Sequence, residues 1–527
     1  MVWDIHGRQG NESAKIRWEL VPYTRGRGID VGCGAWKAFD HFIGLDNGHH
    51  EVFGHSIKPD IKIDTAEKLE LFANASLDFV YSSHLLEHIP PGEPCVITLK
   101  EWWRTLKVGG YLCLYVPADD LYPKVGEPGA NPDHKWNVNY DAILELMEKV
   151  GNWDMVEYQK RDQDDEYSLF FVFKKVGKGL HFSWRDEKPK KSAAVVRYGA
   201  FGDLLQASSV FAGLKAQGYH VTLYTSPPGH EVILKDPNID QIILQDKDQV
   251  PNHELGNFWA SIAKKYTKFI NLSESVEGSM LAMPGRTLHA WPPQLRHELL
   301  NHNYLEIQHK LAEIPHKPQV KFYTTLAERE WAEKEARKIT MDGPIIVWSL
   351  AGSSVHKTWP YLDEVVAKIM LDFKDAHIVM VGGPESALLE AGWEKEPRVH
   401  MRCGKWTIRE TMSFLDQADL VIGPETGVLN AAAQMPMAKV VFLSHSTVEN
   451  LTRDWLHTVS LHSVNTSCPG RGMNDAPACH QLHYGWTHCK RGEKTGIAQC
   501  QEDILGTTAY QPIKHYIKEF YRNKAAA

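Results

Sequence analysis

The sequence holds no apolar run close to the roughly 20 residues that a bilayer-crossing helix needs, which argues against a membrane span. Its start, MVWDIHGRQG, lacks the apolar core of a secretory leader, so a cytoplasmic location is expected. Positive charge is short as well. Lys and Arg number 58 against 66 Asp and Glu, and the net charge of −8 speaks against whole-molecule attraction to nucleic acid while leaving room for a local basic groove. Cysteine is sparse, eight in 527 residues, and Cys33, Cys95, Cys113 and Cys403 sit in apolar or turn contexts where they read as small buried hydrophobes. What remains is an ordinary globular composition, 43% apolar and 24% charged, over a length that predicts about three or four domains.

The stretch around which the chain is organised is RYGAFGDLLQASS, Arg197 to Ser209. A buried strand is predicted before it, over Ala193 to Val196, and a helix after it. The glycine turn between them puts Gly199, Gly202 and Asp203 at a helix N-terminus, where free N–H groups and the positive end of the dipole face outward. An acid at that place is also an ordinary helix cap, so the stretch gains meaning only from what surrounds it.

Before it lies a first α/β domain, from about Arg25 to Val176. GRGIDVGCGAWK ends a strand on Asp30 and turns through Gly32 and Gly34; IGLDN ends a second strand on Asp46, and IKIDTAEKL a third on Asp64. LDFVYSSHLLEHI then predicts a fourth strand, through Ser83, and a helix. Carboxylates at successive strand ends are where an open α/β sheet presents hydroxyl-binding groups to a nucleoside. The set resembles the class I methyltransferases that use S-adenosylmethionine, although Trp36 stands where many of them carry a third glycine. The resemblance implies Asp30, Gly32, Gly34, Asp46, Asp64 and Ser83 at the cofactor. His84, Glu87 and His88 fall near the sheet's carboxyl edge and His134 in the loop PGANPDHKW. His88 and His134 are the candidates to take a proton from a methyl acceptor, with a helix residue that does no chemistry as the plain alternative for His88.

Between 177 and 191 the pattern dissolves into a charged linker. Two further α/β halves follow. The first, over 192–343, has strand candidates in YHVTLYTSP, DQIILQD and FINLSESVEG; the second, over 344–467, has them in PIIVWSLAG, HIVMVGGPES, DLVIGPETG and KVVFLSH. Strand–loop–helix units without hairpin signals predict two parallel-sheet lobes facing a cleft, the architecture of a GT-B glycosyltransferase. GAFGDLLQASSV, SLAGSSVHKTWP and GPETGVLNAAAQMP together resemble the family 9, heptosyltransferase-like, glycosyltransferases. That resemblance implies Asp203 as general base and Lys357, Glu425, Thr426 and Gly427 at the donor phosphates. Here Glu425 stands for the family's aspartate and Asn430 for its histidine, so a heptose donor is not implied.

The remaining cysteines, Cys468, Cys479, Cys489 and Cys500, have ten, nine and ten residues between neighbours, with His480, His483 and His488 among them. A structural zinc site, one or two disulfides, and reduced packing all stay open, because the tight Cys-x-x-Cys spacing of most zinc knuckles is absent. The last helix, Tyr510 to Tyr521, is expected to cross back onto the first lobe. The expectation is therefore a bifunctional enzyme: an N-terminal extension over 1–24, a methyltransferase domain over 25–176, two glycosyltransferase lobes, and a Cys/His-rich tail over 468–527. It would build a methylated glycan. Acceptors on modified nucleic-acid bases and a non-catalytic scaffold with a decayed lobe are the alternatives.

Overall fold

The computed structural model describes residues 11–48, 51–52, 55–177, 189–273, 302–353, 357–444, 446–463 and 495–526. The chain forms two compact units: one of the residues up to Lys190 together with Leu244–Lys265, the other of Lys191–Ile243 and the residues from Tyr266 onward. Among the described residues no helix is long and apolar enough to cross a membrane. Most of the expected linker, and Cys468, Cys479 and Cys489, lie outside the described residues.

In the first unit, α1 (Glu12–Leu20) precedes β1 (Gly28–Val31), β2 (Ile43–Asp46), β3 (Ile61–Lys62) and β4 (Leu77–Ser83). Then come α2 (Glu93–Thr105), β5 (Leu106–Pro117), α3 (Tyr140–Glu148), β6 (Trp153–Arg161) and β7 (Ser168–Lys175). The sheet order is β3-β2-β1-β4-β5-β7-β6. Pairs from β3 to β5 are parallel, whereas β7 runs antiparallel between β5 and β6. Strands buried on both faces need continuous apolar runs, as in β1, GIDV, and β7, SLFFVFKK. Ile29, Val80, Leu99, Trp102 and Phe171 share the resulting core. The segment Leu244–Lys265, with the helix Leu255–Ala263, also belongs to this unit; an Arg17–Glu254 ion pair of 2.7 Å and Trp18 against Phe258 tie it to α1, and Gln249 Nε2 donates to the carbonyl of Val21 just after α1 at 2.7 Å.

The expected helix directly after Ser83 is a correction. Leu86–His88 is a single 3₁₀ turn, and the helix proper starts at Glu93. Pro90 and Pro91 explain the difference, since each lacks an N–H and restricts the residue before it.

The second unit holds two sheets. In the first lobe β8 (Ser192–Val196), α4 (Phe201–Ala216), β9 (His220–Thr225), β10 (Gln241–Leu244) and β11 (Lys268–Asn271) give the order β10-β9-β8-β11. The helix α5 (Leu326–Ile339) leads to the second lobe, with β12 (Ile345–Ser349), α6 (Leu362–Asp372), β13 (His377–Val381) and β14 (Val399–Met401). It continues through α7 (Ile408–Phe414), β15 (Leu420–Pro424), α8 (Gly427–Ala432), β16 (Ala438–Phe442) and β17 (Thr458–Leu461). Its six strands run β14-β13-β12-β15-β16-β17, all parallel. Parallel strands end at one edge, so the loops that follow β8, β12 and β15 gather where the lobes meet.

The last helix, α9 (Gly506–Ala526), corrects a second expectation. It lies on the second lobe: Ile513 and Ile517 pack in one cluster with Val365 and Ile369 of α6, and Tyr510 Oη donates to Asp372 at 2.6 Å. Its buried stripe packs on the apolar face of α6, a partner that a sequence pattern cannot assign to one lobe or the other.

Arg409 of α7 ties the second unit together. It donates to the Glu231 carbonyl at 2.8 Å, to the Tyr323 carbonyl at 2.9 Å and, through Nε and Nη2, to both carboxylate oxygens of Glu328 at 2.6 and 2.8 Å. The bidentate Arg409 contact holds the Glu328 carboxyl down to about 2. A depressed folded-state value stabilises the fold above the ordinary carboxylate range and is lost as pH falls through about 2. Glu328→Gln should therefore cost about 1–3 kcal/mol at neutral pH and flatten the fall in thermal midpoint below about pH 4.5, as measured by calorimetry across that range.

Candidate active sites

At the carboxyl edge of the first sheet, the turn after β1 carries Gly32 at φ +75° and Gly34 at φ +57°, a conformation that side chains other than glycine rarely adopt. Gly32 N–H donates to the Leu45 carbonyl at 2.8 Å and fixes the turn on β2. Asp46 closes it: Gly34 N–H donates to one carboxylate oxygen at 3.1 Å and Gly48 N–H to the other at 2.9 Å. Asp30 is fully buried beneath the turn, where Ala38 N–H donates to it at 3.4 Å. Burial pushes its carboxyl up to about 7 against the pull of that N–H and of Lys37. Asp64 is exposed just past β3, and Ser83 is the last residue of β4.

Beyond Ser83, His84 takes a positive φ of 48°, a strained conformation for a non-glycine residue. The 3₁₀ turn that follows drives Glu87 into the interior. Its side chain has 0% exposure, with Oε1 3.7 Å from His84 Nδ1, 4.0 Å from His88 Nε2 and 3.7 Å from His134 Nε2. Lys135 N–H donates to the Glu87 carbonyl at 2.8 Å, which pins the His134 loop to this turn. Burial pushes the Glu87 carboxyl up to about 8, and His84 and His134 down to about 3 and about 4; burial also lowers His88. The sequence-predicted His88 and His134 thus come together, and Glu87 is the group they share.

In the second unit, β8 is followed directly by Arg197, whose guanidinium is 1% exposed and forms a 2.8 Å ion pair with Asp203. The other Asp203 oxygen accepts from Ala200 N–H at 2.8 Å, so Asp203 caps α4 and is also aimed by a buried cation. Gly199 has φ +133°, and a Cβ there would stand 2.5 Å from Asp203 Oδ2. The start of α8 comes to the start of α4: a Cβ on Gly427 would stand 2.8 Å from the Phe201 Cβ. Asn430 accepts from Gln206 Nε2 at 3.1 Å and donates to the Thr426 carbonyl at 2.9 Å, joining the two helices. Thr426 Oγ1 lies 3.2 Å from Ser349 Oγ, and the Lys357 stem packs over Gly352 beside Thr426. Buried Glu425 accepts from the Ser444 N–H at 3.2 Å and from its hydroxyl. Arg197, Gln206 and Ser444 escaped the sequence reading. Arg197 alone left a signal, a cation placed at a strand end before a glycine turn.

A family model for a methyltransferase domain matches residues 29–114, and one for glycosyltransferase family 9 (heptosyltransferase) matches residues 259–471. The chain carries a methyltransferase domain and a family 9 glycosyltransferase domain. Both are transferase domains, and the first implies use of S-adenosylmethionine. Among solved structures, the chain is similar to a family 9 glycosyl transferase from Veillonella parvula, at 15% identity and TM-score 0.46, covering 63% of this chain and 99% of that one. It is also similar to the E. coli ADP-heptose lps heptosyltransferase II, at 13% identity and TM-score 0.43 over 63% and 99% of the two chains. A SAM-dependent methyltransferase from Archaeoglobus fulgidus is similar at 20% identity and TM-score 0.24, covering 31% of this chain and 92% of that one. A comparison with curated proteins finds no match.

In the methyltransferase domain, the glycine turn and the Asp46 carboxylate at the strand end fit a nucleoside cofactor, since Gly32 and Gly34, without side chains, let a ligand approach the backbone closely and the carboxylate keeps lone pairs for hydroxyl groups. In the glycosyltransferase domain the aim of Asp203 depends on Gly199. Gly199→Ala should cost about 1–3 kcal/mol in denaturant unfolding, because it meets both the positive φ and the carboxylate.

Proposed function

We propose that this bifunctional transferase moves a sugar from a nucleotide-diphosphate donor to a hydroxyl acceptor and a methyl group from S-adenosylmethionine to an acceptor, so building a methylated glycan. The observation that carries the sugar-transfer reading is the meeting of the two helix starts, with Asp203 on one and Gly427 on the other. Asp203 takes the proton of the acceptor hydroxyl as its oxygen bonds to the anomeric carbon and the nucleotide diphosphate leaves with the old bond's electrons. A carboxylate acting as base gives a single displacement, so the anomeric centre inverts. Arg197 keeps the Asp203 carboxylate in one orientation. Lys357 and the N–H groups at Thr426 and Gly427 receive the diphosphate charge, and Glu425 acts by holding the Thr426 loop through Ser444.

In the other domain the cofactor supplies the methyl group. Gly32, Gly34 and Asp46 would hold it, with Asp64 and Ser83 along the same edge and Asp30 acting through the shape of the turn it braces. The Glu87–His88–His134 group marks the acceptor side, where a proton must leave before or during methyl transfer.

Asp203→Asn should lower sugar transfer by about 10²–10⁴-fold with nucleotide-diphosphate affinity unchanged, measured with a panel of nucleotide sugars and by calorimetry. Transfer at the parent rate would remove Asp203 as the base. Asp46→Ala should weaken S-adenosylmethionine binding at least about tenfold, by the 1.4 kcal/mol that one good polar contact represents, and leave donor hydrolysis intact. A protein that binds neither donor would instead be a scaffold.

A further inference from the structure

Glu87, His88 and His134 offer ligand atoms that all lie within 4.8 Å of one another. The separations of 3.7 and 4.0 Å from Glu87 Oε1 to the two Nε2 atoms exceed a hydrogen bond, so these groups do not satisfy each other directly. Neither Glu87 oxygen has a hydrogen-bond partner from another residue among those described, although the side chain has 0% exposure. A carboxylate so placed is costly unless it takes up a proton or a cation meets it. Two imidazoles and a carboxylate around one point are the donor set of zinc and of other borderline divalent ions, with further positions left open.

The surroundings hold these donors in place. Lys135 N–H on the Glu87 carbonyl and Trp136 Nε1 on the Leu86 carbonyl at 3.2 Å fasten the His134 loop to the turn bearing Glu87 and His88. The His134 ring packs at 4.9 Å from His88 and 5.2 Å from Tyr122. His84 stands behind the carboxylate, its Nδ1 3.7 Å from Glu87 Oε1 and its other ring nitrogen 2.9 Å from Ser168 Oγ. Ligand atoms around a tetrahedral ion with bonds of about 2.0–2.1 Å stand about 3.3 Å apart, so small side-chain rotations bring these three into range. His88 is 30% exposed and leaves a route for the ion to enter.

We infer that Glu87, His88 and His134 bind one divalent transition-metal ion of the zinc type at the carboxyl edge of the methyltransferase sheet. The ion's open positions would then receive the oxygen or nitrogen of the methyl acceptor and lower its pKa. Its proton would pass to solvent water on the side left open by the partly exposed His88 before the methyl group arrives. This deepens the proposed acceptor role of the group and rests on it for the ion's use, not for its binding.

The test is calorimetric titration of EDTA-treated full-length protein with zinc chloride, with the Cys468→Ser, Cys479→Ser, Cys489→Ser and Cys500→Ser substitutions combined so that thiolates do not contribute. One ion should bind, and His134→Ala or Glu87→Gln in that background should weaken it at least tenfold. Unchanged stoichiometry and affinity in the His88→Ala/His134→Ala protein would overturn the site. S-adenosylmethionine binding, read in the same samples, separates the failures: zinc unaffected with the cofactor still bound sinks the metal site and spares the methyl-transfer reading. Should the alanine variants not fold, cobalt loading of the unaltered chain decides. A cobalt ion free of thiolate charge-transfer absorption supports the site, and a spectrum of thiolate-bound cobalt alone removes it.

Discussion

The interaction on which the glycosyltransferase reading depends is the ion pair between Arg197 and Asp203. A guanidinium with 1% exposure is tolerated inside a protein only when paired, so Arg197 holds the partly exposed Asp203 carboxylate against it at 2.8 Å. Two features beside them serve the same placement: the positive φ of Gly199, which leaves room for the carboxylate, and the capping bond from Ala200. An acid that would otherwise sample several rotamers is thereby kept facing one way, which is what proton abstraction from a passing hydroxyl demands.

The same economy appears at the second lobe. Gly427 lets α8 approach α4 at backbone distance, and Asn430 spends its amide on Gln206 and the Thr426 carbonyl. Asn430 read in the sequence as a departure from a family histidine; in the fold it is a fastener between helices. The departure at Glu425 has a comparable account, since the longer carboxylate reaches Ser444. Both differences are compatible with an intact lobe and supply no mark of decay.

Parallel strands were legible because their signal is local: a short β-branched run followed by a glycine turn, as at Ala193–Val196 and Ile345–Ser349. The turn residues Gly32, Gly34 and Asp46 were legible for the same reason. What the sequence concealed was long-range. The run SLFFVFKK gives no clue that it lies antiparallel between two strands, and no periodicity tells α9 which lobe to cover. Arg197 shows in the sequence only as a cation before a glycine turn, because its partner's position depends on how the turn folds. Around Glu87 the residue types are visible in the sequence, but the short 3₁₀ turn before Pro90 and Pro91, which buries the acid, departs from the helical pattern of HLLEHI.

The allotment of Leu244–Lys265 to the first unit has an architectural outcome. The backbone passes between the units at 190/191, at 243/244 and again at 265/266, so three covalent threads join them instead of one. A gene cut at the apparent linker would leave Arg17 without its Glu254 partner and Glu19 without Lys265. The two units are interleaved along the chain, so a single cut does not separate their residues.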